Sequence, residues 1–96
     1  MATYAEIREL FSDSDLLTKV QVAVVIAANN LISGSPTTAE KTWAASVFSN
    51  PIPEAKKAMM AVLAENKDLT VAQIQAATDS GVQTQVDAIV PTLVGA

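Results

Sequence analysis

The sequence predicts an all-α protein, folded as one domain over residues 1–96: a compact bundle of about five to six helices around a central apolar helix at about residues 14–33. The segment Leu16–Ile32, LLTKVQVAVVIAANNLI, is much longer than a buried strand of about four to eight residues. The helix-capping pattern S/T-x-x-E/Q recurs along the chain, and neither of the hairpin signals Asn-Gly and Asp-Gly occurs.

A short first helix is predicted over Tyr4–Phe11. Thr3 and Glu6 form the capping box that opens it, because the hydroxyl and the carboxylate at this spacing each accept a bond from an N–H group that the helix leaves unpaired. The candidate N-caps of the next helix follow it directly and are Ser12, Asp13 and Asp15.

The central helix is apolar almost all the way round, and no charged residue occurs between Lys19 and Glu40. A helix that is apolar on every face is normally buried on every side, but a chain of 96 residues seldom has enough other elements to cover it completely. The helix is therefore either the axis of the domain or part of a surface that another subunit covers, and the apolar faces of the other predicted helices favour the axis. It is predicted to end near Ser33. Gly34 is placed to take the left-handed position after the helix, and Pro36 prevents its continuation.

A third helix is predicted from the capping box of Thr37 and Glu40 to about Ser49. Its apolar residues recur at helical spacing and should face the core, with Trp43 as the largest of them. These core candidates are Ala39, Trp43, Ala44, Val47 and Phe48.

The segment Asn50–Pro53 predicts a stop and a restart, because Pro53 suits the first turn of a helix. The helix that follows should run to about Asn66. Its predicted core face consists of Ala55, Met59, Val62 and Leu63, whereas Glu54, Lys56 and Lys57 are expected on a solvated face.

Two further capping boxes predict the last two helices. Thr70 with Gln73 opens a short helix through Ala77, and Ser80 with Gln83 opens the final one. Pro91 is expected to kink or end that final helix around Val90. Its aligned apolar residues are Val82, Val86, Ile89, Val90 and Leu93.

The composition argues against an enzyme and against cofactor, metal and small-molecule sites. The chain has no histidine and no cysteine, which excludes Ser-His-Asp and Cys-His arrangements, disulfides and most structural zinc sites. No glycine-rich phosphate loop is present. Asp13 and Asp15 could hold a hard cation, but helix capping is favoured because Leu17 stands where a third oxygen ligand belongs.

The charge and hydropathy patterns argue against nucleic-acid and membrane partners. The net charge is −4, and the six basic residues are scattered rather than gathered into a stripe. The N-terminus lacks the basic head and apolar core of a signal peptide. No unbroken apolar run is longer than that of Val22–Ala28, which is far shorter than the roughly 20 residues that span a bilayer.

The C-terminal segment 82–96 contains one charged residue, Asp87. A small domain leaves much apolar surface uncovered, so this segment either folds back onto its own core or docks on a neighbouring subunit. For the second case, the candidate interface strip is Val86, Ile89, Val90, Leu93 and Val94.

Two segments together carry a resemblance to known proteins. They are TYAEIRELFSDSDLLTKVQVAVVIAANNLI near the start, and AEKTWAASVFSNP followed later by AKKAMMAVLAENKDLTVAQIQAATDSGVQTQVDAIV. This pattern resembles small helical proteins that are encoded in the structural gene clusters of tailed bacteriophages. The likeness covers nearly the whole chain but contains no catalytic or ligand motif.

The resemblance implies a non-enzymatic virion component, made in the cytoplasm of the bacterial host. One location it implies is the neck, where helical head–tail connector subunits form a ring between portal and tail. A minor capsid or tail-associated subunit fits as well. The implied partners are further copies of the chain and other virion proteins of the portal, tail or capsid. The alternative is a small helical binding or regulatory module that acts as a monomer or dimer.

Deletion of Val90–Ala96 separates the two roles of the C-terminal segment. If the segment is an interface, the deletion abolishes assembly and leaves the helical circular dichroism largely unchanged. If the segment belongs to the core, the circular dichroism signal of the fold is lost as well.

Overall fold

The computed structural model describes residues 9, 12–65 and 79–95, and its described part is helical with no strand. The predicted all-α class and the compact bundle are confirmed. Four helices are seen there rather than five to six: α1 at Ser14–Ser33, α2 at Thr38–Ser49, α3 at Pro51–Glu65 and α4 at Asp79–Gly95. The predicted short helix Thr70–Ala77 lies outside the described residues, as does Tyr4–Phe11 except for Glu9.

Both ends of α1 are set by local hydrogen bonds. Asp13 is the N-cap, and its carboxylate accepts a bond of 3.0 Å from the N–H of Leu16, as the capping interpretation predicts. At the other end, the N–H of Gly34 donates to the carbonyl of Leu31. The predicted left-handed Gly34 is wrong, since its φ is −93°. Pro36 disfavours helical backbone at the residue before it, and the chain leaves the helix without a left-handed residue.

The predicted central position of α1 is confirmed, because it packs against α2, α3 and α4. One side of it supplies the buried residues, and half of these are alanines, which allow the helix backbones to approach closely. These residues are Leu16, Val20, Ala23, Val24, Ala27 and Ala28.

Helix α1 is not buried on every side. Val22, Ile26 and Ile32 are 53%, 42% and 45% exposed. The reason is geometric: α2, α3 and α4 pack around the side that carries the small residues, and a chain of 96 residues has few other elements with which to cover a long helix completely.

Helices α2 and α3 form a tight pair of consecutive helices. The capping box of α2 is present as predicted: Glu40 accepts a bond from the N–H of Thr37 at 2.8 Å, and Thr37 accepts one from the N–H of Glu40 at 3.2 Å. Asn50 ends α2, and α3 begins at the next residue, with Pro53 in its first turn.

The predicted core faces of α2 and α3 are largely confirmed. Trp43, Ala44 and Val47 are buried in α2, whereas Ala39 and Phe48 are exposed, so the core face of α2 is narrower than predicted. In α3 the residues predicted to face the core are buried or packed against it: Ala55, Met59, Val62 and Leu63.

Of the two outcomes predicted for Pro91, an end of the helix at Val90 is wrong, because α4 continues through Pro91 to Gly95. A proline inside a helix deprives the carbonyl four residues earlier, here that of Asp87, of its N–H partner. Both Pro91 and Asp87 are exposed, so water can bond the carbonyl and the helix tolerates the proline. The helix also begins at Asp79, before Ser80, so Ser80 is not its N-cap.

Burial of α4 side chains predicts a large stability effect at Ile89, which is nearly fully buried. Replacing Ile89 by Ala should lower the free energy of unfolding by about 2–5 kcal/mol, because apolar contacts are lost and a cavity remains. The matched control is Ile32→Ala, which removes the same atoms from an exposed site and should change stability by about 0.5 kcal/mol or less. Urea unfolding followed by Trp43 fluorescence measures both variants, and equal losses would contradict this description of the core.

Candidate interaction surface

The strip proposed for subunit contact lies mostly inside the fold. Its buried members, which pack in the single apolar core, are Val86, Ile89, Val90 and Leu93, and Val94 is half-buried against them. The chain's own core thus accounts for the apolar character of α4. In this conformation these side chains offer a partner little surface, and deletion of Val90–Ala96 is expected to disrupt the fold.

Large apolar side chains are exposed elsewhere in the described part. Three lie on α1, one on α2 and two on α3: Val22, Ile26, Ile32, Phe48, Ile52 and Met60. On α1 the exposed Val22 and Ile26 share one side of the helix, four positions apart. The buried side carries alanines such as Ala23 together with the larger Leu16 and Val24, so size alone does not separate the two sides.

One continuous exposed surface runs along α1, and we call it the open face. It consists of residues three or four positions apart, which lie on one side of a helix: Asp15, Thr18, Val22, Ile26, Asn29 and Ser33. The apolar pair lies in the middle, and polar residues lie at both ends. Asp15 is the only charged residue of the open face.

A surface groove of about 760 Å³ runs between the open face and the start of α4. Its walls include Val22 and Ile26 on one side and Asp79 and Ser80 on the other. Gln83 fixes this geometry, because its side-chain N–H donates to the carbonyl of Ala23 at 3.1 Å and to the carboxylate of Asp87 at 2.9 Å. The groove is therefore bounded by two helices that are joined by one side-chain hydrogen bond, from Gln83 to Ala23, as well as by packing.

The buried polar contact between α2 and α3 was missed by sequence reasoning. Glu54 was expected on a solvated face but is only 8% exposed, and it accepts a hydrogen bond of 3.0 Å from the indole N–H of Trp43. Lys57 adds an ion pair at 3.4 Å from its ammonium, which is itself largely exposed. The feature of the sequence that could have indicated this contact is Trp43, because a buried indole N–H normally requires a hydrogen-bond acceptor.

The described residues offer little for catalysis or metal binding. No group of three or more acidic residues that could hold a metal occurs within the described ranges, and Asp13 caps a helix. The acid that is buried, Glu54, is paired with Trp43 and Lys57. A cavity at the Leu16 end of α1 has a volume of about 20 Å³, enough for about one water molecule, and mostly apolar side chains line it.

Helix α1 is long and apolar enough to cross a membrane by length and composition, with one third of its most apolar stretch buried in the fold. The central helix of a globular domain passes the same test. Packing of α1 against the three other described helices accounts for its buried residues, whereas Val22, Ile26 and Ile32 stay exposed.

Comparisons of this chain with protein-family models, curated proteins and solved structures find no match. Its role is therefore argued from its own surfaces and from the sequence pattern.

The contact of Trp43 with Glu54 predicts energetic coupling between α2 and α3. In a double-mutant cycle with Trp43→Phe and Glu54→Leu, the coupling should be about 1.5–3 kcal/mol, the range for hydrogen bonds to charged groups. Urea unfolding monitored by circular dichroism provides the four stabilities. Lys56→Ala, at an exposed residue of the same helix, is the control and should have an effect of about 0.5 kcal/mol or less. Strictly additive losses would contradict the importance of this bond.

Proposed function

We propose that this chain is a non-enzymatic structural subunit that assembles with other protein chains through apolar helix surfaces, as a component of a tailed-bacteriophage virion. The observation that carries the proposal is the exposure of large apolar side chains on helices whose opposite sides are packed. Val22 and Ile26 lie one helical turn apart on the open face, at the centre of the longest described helix.

Contact of these apolar side chains with water is unfavourable, and their burial in an assembly removes that contact. Single exposed apolar residues are common on soluble proteins, but neighbouring ones on one face are typical of binding surfaces. Burying apolar area in an interface yields about 25 cal/mol for each Å² removed from water. The open face has charge only at its N-terminal end, so most of its length can be buried without removing an ion from water.

A non-enzymatic role is supported by the residue inventory. Without histidine or cysteine, proton transfer or nucleophilic attack would fall to carboxylates, lysines and hydroxyls. Among the described carboxylates, Asp13 caps α1, Glu40 closes the capping box of α2 and Glu54 bonds Trp43. Each of these has a structural task at its position.

The location in the particle rests on the sequence pattern. Its resemblance to helical proteins of phage structural gene clusters supports a neck ring between portal and tail, or a minor capsid or tail position. The partners proposed on this basis are other copies of the chain and the portal, tail or capsid proteins. Production in the host cytoplasm followed by incorporation into the virion belongs to the same proposal.

The groove between the open face and α4 supports a second candidate function. A groove with apolar residues in its wall and polar residues at its rim suits an amphipathic helix of another protein. In that case the chain is a small binding or regulatory module that acts as a monomer or dimer, and its partner helix carries apolar residues at i and i+4.

Light scattering coupled to size-exclusion chromatography separates the two functions only together with examination of the native particle, because a dimer fits both and a virion subunit must be present in the particle. The structural proposal predicts an oligomer whose mass is a multiple of 10.0 kDa, and cryo-electron microscopy of the native particle should show helical density that fits α1–α4. A chain that stays at 10.0 kDa up to its solubility limit and is absent from the particle would contradict the structural proposal and favour the binding module.

A further inference from the structure

We infer that a second copy of this chain covers the open face of α1, with the two α1 helices antiparallel and a two-fold axis between Val22 and Ile26. This inference rests on the proposed self-assembly and specifies which surface performs it. It is carried by the order of residues along the open face, where an apolar centre lies between two polar ends of different character.

The apolar centre fits a partner of the same kind. Val22 and Ile26 are separated by four positions, so they project side by side from α1, and both are about half exposed. In an antiparallel pair, Val22 of each copy lies opposite Ile26 of the other. Each copy thereby buries the apolar pair of its partner, which is the self-complementarity that a two-fold interface requires.

The polar residues at the two ends of the open face determine whether the two α1 helices run parallel or antiparallel. Asp15 lies at the N-terminal end of the open face, and no charge follows Lys19 on α1. Parallel helices would bring the two Asp15 carboxylates together, which is unfavourable because like charges repel. Antiparallel helices place Asp15 opposite Ser33 of the other copy, at its uncharged end, where a hydroxyl can donate a hydrogen bond.

The helix dipoles favour the same direction. The last turn of α1 contains no basic residue, so the partial negative charge at that end is not offset by a cation of its own helix. In the antiparallel pair Lys19 of each copy lies opposite Asn29 of the other, close to this end. A cation near a helix C-terminus is stabilising.

The area of the open face limits how strongly the two copies can associate. A helix of 20 residues is about 30 Å long and about 10–12 Å wide, which gives about 300–360 Å² on each copy. Stable dimers bury about 800 Å² on each partner. The pair is therefore a reversible dimer in solution, and a ring or a larger assembly needs a second surface in addition.

Sedimentation velocity over a range of concentrations tests this surface with the full chain. Wild type should show a reversible monomer–dimer equilibrium. The double variant Val22→Glu, Ile26→Glu should dissociate at least about tenfold more readily, since it places carboxylates in the centre of the interface and tenfold corresponds to about 1.4 kcal/mol. Met60→Glu is the matched control, because Met60 is exposed to the same extent on α3, and it should dimerise like wild type. Circular dichroism verifies that each variant is folded.

The possible failures have distinct meanings. If the double variant self-associates like wild type, the open face is not the interface, although self-assembly itself stands. If wild type is monomeric at every concentration, both the pairing and the self-assembly proposal are contradicted. Wild-type monomer that cosediments with phosphatidylcholine vesicles, with loss of binding in the double variant, would assign the face to a membrane and overturn the pairing.

Disulfide trapping tests the direction, and the absence of native cysteine makes it specific. Variants Val22→Cys and Ile26→Cys are oxidised separately and as a mixture. The antiparallel pair predicts that the mixed disulfide forms faster than either homodimeric one. Faster formation of the two homodimeric disulfides would indicate parallel helices and overturn the arrangement.

Discussion

The described helices are held together around one side of α1. Its buried residues are Leu16, Val20, Ala23, Val24, Ala27 and Ala28, of which half are alanines. Helices α2, α3 and α4 all pack against α1. Val22 and Ile26 lie on its other side and are exposed. The open face is thus a result of the same packing that closes the core.

Hydrogen bonds fix the relative positions of the helices, which apolar packing alone leaves adjustable. Small apolar side chains allow helices to slide past one another at little cost, whereas hydrogen bonds to specific atoms do not. Trp43 and Glu54 join α2 to α3 through a buried bond, and Gln83 joins α4 to the carbonyl of Ala23 on α1. These contacts set the positions of the helices relative to each other, and so the shape of the groove next to the open face.

Much of the fold could be predicted from sequence because its signals are local. The N-cap Asp13, the capping box at Thr37 and the bounds of α1 and α2 depend on residues within one turn of each other. By contrast, the continuation of α4 through Pro91 depends on the access of water to the carbonyl of Asp87. The burial of Glu54 depends on Trp43, eleven positions earlier. Such features arise only when separate helices meet.

The location of the candidate interaction surface also could not be predicted from local sequence alone. An uncharged apolar segment signals burial but does not say whether the chain itself or another chain covers it. In α4 the chain's own core covers Ile89, whereas in α1 the described helices leave Val22 and Ile26 exposed. The distinction follows from which side of each helix packs in the core: Ile89 lies on that side of α4, whereas Val22 and Ile26 lie on the side of α1 that the described helices leave exposed.

The central claim is that α1 has one side buried by its own fold and one side available to another copy. Methyl NMR with a soluble paramagnetic probe, recorded over a dilution series, tests it most directly. The account predicts that Val24 is protected at every concentration, whereas Val22 and Ile26 are accessible in dilute solution and become protected as concentration rises. Protection of Val22 and Ile26 at every dilution, or their exposure at every concentration, would contradict it.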